Sequence, residues 1–255
     1  VFEPIDALLR TTLGRPTLLD GYLYPYILAG FALTLKLALA SLALAVALGL
    51  LGAVARLSRS RLARGTAAVY TTVVRGVPDI VLMFILFFGG QIFVNWCGAE
   101  LTDLGERMGV PLGWDYLEIS AFAAGTFSIG FIFGAYMTET FRGGILAVSR
   151  GEIEAGHAFG MTPAQVFFRI TLPASVRHAL PSFGNNWLVL AKATALVSVI
   201  GLQDMVFRAA QAGNTLREPF TFFMVVAVLY LLLTGASDLC LRRLNRRYRV
   251  GVREA

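Results

Sequence analysis

Residues 149–173, SRGEIEAGHAFGMTPAQVFFRITLP, form the one long polar, charged and capped segment set between apolar spans, and the reading of the chain turns on them. Ser149 with Glu152 three positions later has the S-x-x-E form of a capping box, and Thr162 with Gln165 repeats the form with Pro163 at the first helical position. Gly160 stands between the two starts, where the end of a helix needs a residue that accepts positive φ. The spacing predicts a helix of about ten residues, a tight glycine turn, and a second short helix ending near Leu172 and Pro173. Helices this short are not stable alone. The segment must dock on something, and it is the expected meeting point with a partner.

Outward from this segment, composition sets the class. Of 255 residues, 56% are hydrophobic and 15% charged, and the mean hydropathy is +0.68. That is far more apolar than a soluble domain and implies an all-α membrane protein. The net charge of +6 comes from arginines gathered at the ends of apolar runs. Such an arrangement fits a cytoplasmic leaflet rather than nucleic acid, which would call for one folded basic face. Cys97 and Cys240 belong to different spans and make neither a metal pattern nor an evident disulfide. No basic n-region with a short apolar core and cleavage site precedes the first span, so that span is itself the expected targeting signal.

About five transmembrane helices are expected within residues 22–241. Residues 1–21, with Pro4, Pro16 and Gly21, suit an extracytoplasmic lead-in. The first span, 22–55, is interrupted only by Thr34, Lys36 and Ser41, and Lys36 can snorkel. Arg56, Arg59, Arg61 and Arg64 follow without an acidic residue, which places their loop in the cytoplasm. The second span, 66–96, is broken by Arg75-Gly76-Val77-Pro78-Asp79. Two readings stand there. In one, a kinked helix pairs Arg75 with Asp79 at membrane depth, where each ionisable residue costs roughly 2.5–3.5 kcal/mol and is functional by default. In the other, a surface helix ends at Arg75 and about 20 residues, 77–96, do the spanning.

The loop 98–118 carries five acidic residues against Arg107 and belongs outside. The third span, 119–141, holds Gly125, Ser128, Gly130, Gly134 and Ala135, which let neighbouring helices approach closely, and it ends in Glu139 and Arg142 as an i,i+3 pair. Pro181 is expected to open a fourth span reaching Gly201. It is the most polar span, with Asn185, Asn186, Lys192, Thr194 and Ser198, and is expected to line a pathway. After the polar segment 203–218 comes a fifth span, 219–241, and then a basic cytoplasmic tail, 242–255. With the N-terminus outside and the C-terminus inside, the charges agree at every loop.

At this point the residues carry a resemblance. Glu154-Ala155-Gly156, Gly160 and Ile170-Thr171-Leu172-Pro173 resemble the EAA motif of the membrane subunits of ATP-binding-cassette importers, with Gly156 in place of the usual third small residue, Ala. Residues 74–78, Gly134-Ala135-Tyr136 with 139–144, and 186–198 resemble polar-amino-acid permeases. Residues 185–252 are most similar to the Q-type half of the histidine/lysine/arginine/ornithine and opine permeases.

The resemblance implies a multi-pass permease of the cell inner membrane that works as half of a heterodimer with a companion permease. Two copies of a cytoplasmic ATPase, which hold ATP and Mg, and a soluble extracytoplasmic binding protein complete the machine. No cofactor is expected on this chain. The motif loop becomes a coupling helix seated in an ATPase groove, carried by Glu154, Ala155, Gly156 and Gly160, with Phe159 and Met161 as apolar anchors. Segments 98–118 and 203–218 are the candidate docking surfaces for the binding protein.

The chain has no G-x-x-x-x-G-K-[ST] loop and so is not the ATPase. Asn186, Lys192 and Thr194 are the candidate substrate-facing residues. Where many such permeases have an acidic residue between the Lys and the Thr, this chain has Ala193. A basic amino acid would then find its carboxylate on the companion, or on Glu139 or Asp79. An opine or glutamine importer is the alternative within the class, and an ion or small-solute channel the alternative outside it. A membrane enzyme lacks support, since His157 and His178 stand in or beside the motif loop with no H-E-x-x-H or G-x-S-x-G.

Overall fold

The computed structural model describes residues 22–109 and 116–248. The expected lead-in, Asp115 and residues 249–255 lie outside the described residues. Among the described residues, five helices are long and apolar enough to cross a membrane: α1 (Leu28–Leu57), α3 (Asp79–Arg107), α4 (Ala121–Leu146), α6 (Pro163–Ile200) and α8 (Pro219–Tyr248). Three shorter helices connect them: α2 (Arg61–Gly76), α5 (Arg150–Ala158) and α7 (Met205–Leu216).

At the second span the structure decides between the two readings. Val77 is extended, with φ −108° and ψ 140°, as a residue before proline should be, and it separates α2 from α3. α2 is amphipathic. Ala67, Thr71 and Val74 are buried on one face, while Leu62, Val69 and Val73 are exposed on the other. Arg75 and Asp79 therefore sit on two helices and form no ion pair; Asp79 instead occupies the first turn of α3, where a carboxylate complements the helix dipole. α3 runs past Trp96 and takes Glu100, Asp103 and Glu106 into the helix, where Asp103 pairs with Arg107 at 2.6 Å. The acidic run is thus largely helical, because an i,i+4 pair and a polar face support helix as well as loop. Gln91 and Asn95 then tether the returning chain: the Leu117 and Ile119 N–H groups donate to Asn95 Oδ1 and Gln91 Oε1, each at 2.9 Å.

Two prolines behave unlike the expectation drawn from soluble helices. Pro173 does not end the second motif helix, and Pro181 does not open a span; both lie inside α6. Pro173 cannot donate to the carbonyl four residues back, and its ring would crowd that carbonyl. A π turn over Phe167–Thr171, closed by the Leu172 N–H donating to Phe167 O, widens the helix just before it. Neighbouring helices then hold the backbone in place, as they do in membranes. The segment 203–218 is likewise mostly helix, α7. The last span continues past residue 241, carrying Arg242, Arg243, Arg246 and Arg247 into α8, with Arg242 paired to Asp238 at 2.7 Å.

The core forms where α4 presses on α1. A Cβ on Gly130 would stand 2.7 Å from Leu44 Cδ2, so the close approach of the two helices requires its hydrogen. Tyr70 of α2 crosses α4 and donates to Phe131 O at 2.6 Å. A second cluster of Ile27, Met205, Ala209, Ala212, Phe222 and Val226 fixes α7 between α1 and α8.

α7 is capped by a wholly buried Asp204, whose Oδ1 accepts from the Phe207 N–H at 2.9 Å. Its Oδ2 has no hydrogen-bond partner among the described residues. Burial pushes this carboxyl up to about 6, against the pull of its backbone donors and Arg208. A raised folded pKa makes the folded state bind the proton more tightly, so the group's contribution to stability falls as pH rises from 3.8 towards about 6 and is flat above. Asp204→Asn keeps an N-cap oxygen and removes the charge. Thermal unfolding of the purified complex is expected to show a variant gaining up to about 3 kcal/mol on wild type above pH 6, with the gain vanishing towards pH 4. Parallel pH profiles of the two proteins would refute the assignment.

Candidate functional site

The motif segment folds as a helix, a turn and a helix start. α5 ends at Phe159, and Gly160 adopts φ +79° while its N–H donates to His157 O at 2.9 Å. Thr162 then opens α6 with a complete capping box: the Gln165 N–H donates to Thr162 Oγ1 at 3.3 Å and the Thr162 N–H to Gln165 Oε1 at 2.9 Å. Ser149, by contrast, caps α5 with backbone alone. Its expected box does not form, and the first N–H groups of this exposed helix start are open to water.

Six residues were expected to carry the coupling, and the fold divides them. Glu154, Ala155 and Gly160 are exposed, Phe159 is 86% exposed, and Met161 is half-buried. Gly156 alone turns inward. A Cβ there would stand 2.6 Å from Ile170 Cδ1 and 3.2 Å from Val166 Cγ2, so Gly156 seats α5 on the first turns of α6. Phe167 and Phe168 flank the same region, 43% and 65% exposed. Gly156→Ala needs the tip of Ile170 to move and Val166 to give by a few tenths of an ångström, and is expected to cost about 1 kcal/mol, whereas Gly156→Val overpacks the seat by about 1–3 kcal/mol. Thermal unfolding of Gly156→Val alone and with Ile170→Ala checks this. Recovery by the second substitution is expected, and no recovery would place the strain elsewhere.

About two turns before the end of α4 the chain turns polar. Glu139 accepts from Arg142 Nε at 2.8 Å and from Arg56 Nε of α1 at 3.2 Å, so the expected α4 pair is a three-residue bridge between two spans. Arg75 lies over the ring of Tyr136, 5.5 Å from its centroid. Asn186 of α6 donates to Thr140 Oγ1 at 2.9 Å. These groups open onto a cavity of about 520 Å³ lined by Arg75, Tyr136, Glu139, Thr140, Pro181, Ser182, Asn185 and Asn186. A second cavity, about 420 Å³, shares Arg75, Tyr136 and Glu139 and adds Arg56, Thr71, Thr72 and Gly76.

Of the five expected pathway residues, Glu139 and Asn186 come together here. Lys192 is exposed and lines neither cavity, and Asp79 lines neither. Thr194 is wholly buried, donates to Ala191 O at 2.8 Å and lies 3.4 Å from the Tyr230 hydroxyl. Tyr136 and Thr140 were missed, although they share one helical face at i,i+4 and flank Glu139. Arg56 was read only as a loop charge.

The family model for the binding-protein-dependent transport system inner membrane component matches residues 45–250. The chain belongs to that family. It is the permease subunit of an ATP-binding-cassette amino-acid transporter, a multi-pass inner-membrane chain that leaves ATP hydrolysis to ATPase subunits. The histidine/lysine/arginine/ornithine transport system permease protein HisQ of Salmonella typhimurium is 49% identical over 90% of this chain and 96% of its own. The octopine transport system permease protein OccQ of Rhizobium radiobacter is 37% identical over 86% and 87%. Among solved structures, an amino acid ABC transporter crystallised with histidines superposes with a TM-score of 0.72 at 28% identity, covering 88% of this chain and 94% of that one. The MetNI methionine ABC transporter shares the fold alone, with a TM-score of 0.61 at 17% identity over 89% and 96%.

Proposed function

We propose that this permease forms half of the pathway for basic amino acids (arginine, lysine, histidine and ornithine). It works beside a companion permease, with two ATPase copies and a soluble binding protein. The observation that carries this reading is the polar cavity between α2, α4 and α6 in an otherwise apolar bundle. The names of the similar permeases supply the substrate class.

The N-terminus is assigned to the periplasm and the arginine-rich end to the cytoplasm, by the charge of the loops. α5 then offers Glu154, Ala155, Phe159 and Gly160 to a groove of the ATPase. α6 is one continuous helix from the Gly160 turn to Asn185 and Asn186. A shift of α5 with its groove is therefore passed through the Gly160 turn to α6, whose helix carries it past the π turn at Phe167–Thr171 to the cavity wall. Glu139 is neutralised by two arginines. Asp79 lines neither cavity, so the carboxylate that a cationic side chain needs is assigned to the companion, and Lys192 remains exposed on α6.

The test is ATP hydrolysis by the nanodisc-embedded complex with its binding protein, challenged with each basic amino acid, glutamine and octopine. Stimulation by the basic amino acids alone is expected. Stimulation by octopine or glutamine instead would replace the substrate, and none by any would overturn the reading.

A further inference from the structure

Arg75, which lines both polar cavities, differs from Arg56 and Arg142. Arg56 and Arg142 share Glu139. Arg75 has no ion pair or hydrogen bond among the described residues, only the ring of Tyr136 beneath its guanidinium. Asp79 lies beyond the extended Val77 and Pro78, unpaired with it. The remaining polar groups on the larger cavity, Thr140, Ser182, Asn185 and Asn186, are neutral. Glu139, the one carboxylate among the residues lining the cavity, is thus taken by Arg56 and Arg142, while Asp79 acts on the Tyr136 hydroxyl from outside the lining and makes no ion pair with Arg75. A guanidinium held over an aromatic face keeps its in-plane N–H fork for a planar oxyanion, and a carboxylate matches that fork with two parallel hydrogen bonds.

We propose that Arg75 receives the α-carboxylate of the amino acid in the larger cavity, with Asn185, Ser182 and Thr140 within the same wall to hydrogen-bond its head group. The inference rests on the pathway reading above and deepens it. This half holds the group that every amino acid shares, which fits a cavity with no free carboxylate of its own, and leaves the side chain to the companion. A carboxylate could also come from a side chain of the companion permease, and the two sources are separable.

The experiment is equilibrium competition on the purified complex of both permeases and the ATPase in nanodiscs. Labelled arginine is displaced by arginine, by arginine amide, and by agmatine, which is arginine without its carboxyl group. In wild type, arginine is expected to outcompete agmatine by on the order of 10-fold to 100-fold, the worth of a charge-assisted pair. Arg75→Gln is expected to weaken arginine by that factor, leave agmatine unchanged and bring the ratio near one, and Arg75→Lys to restore part of it. Equal loss of arginine and agmatine would make Arg75 structural and overturn the assignment. An unchanged ratio would overturn it too, as would loss of the companion from the purified Arg75→Gln complex, which would give the carboxylate to the companion. A wild-type complex that binds no amino acid would overturn the pathway reading itself, a failure visible before any variant is made.

Discussion

Glu139→Gln will destabilise the assembled transporter by about 2–3 kcal/mol, below the range for breaking a fully buried pair because its arginines keep some water. The carboxylate is 17% exposed and accepts from Arg56 of α1 and Arg142 of α4, themselves 24% and 31% exposed. Glutamine cannot neutralise them, and two guanidinium groups would then face each other across the main helix pair of the bundle. Combining Glu139→Gln with Arg56→Gln removes the repulsion and should recover most of the loss. Thermal unfolding of the three complexes measures this. A Glu139→Gln complex as stable as wild type would mean that the bridge contributes nothing, and would reopen Glu139 as a free site for a substrate cation.

Gly160→Val will uncouple hydrolysis from transport. Gly160 has φ +79°, a conformation that a β-branched residue adopts only at a cost of about 1–3 kcal/mol. The cheapest relief is to open the turn, which changes the angle at which α5 leaves α6. The cost falls on that angle rather than on the buried core, so the complex should still insert and assemble. Uptake should fall by at least about tenfold, the worth of 1.4 kcal/mol at the coupling step, while basal ATP hydrolysis persists. Normal uptake by an assembled Gly160→Val complex would show that the turn does not set the coupling geometry.

How far the sequence speaks for itself follows from the range of the interactions concerned. The Thr162–Gln165 box and the Gly160 turn involve residues within one turn of each other, and both are legible directly. The five spans are legible because apolar length alone defines them. The prolines mislead because their meaning in water, as helix breakers, changes when neighbouring helices and a π turn support the backbone. The acidic run in α3 misleads because charge marks exposure, not loop.

At the site, Asn186 and Glu139 stand out as polar residues in apolar helices. Whether Lys192 or Thr194 meets the same cavity depends on the rotation of α6, which its packing against α4 and α8 sets. The cavity itself needs Arg75 beside Tyr136 and Arg56 beside Glu139, pairs far apart in the chain, and no local pattern announces them.

The central claim is that this permease moves a basic amino acid only when ATP is hydrolysed by subunits seated on α5. Its most direct test is uptake of labelled arginine into proteoliposomes containing the chain, its companion permease, the ATPase and the binding protein. Accumulation above the outside concentration that needs ATP, and that is lost when the ATPase is omitted, is the predicted result. Equilibration of arginine without ATP would mark a channel and contradict the account.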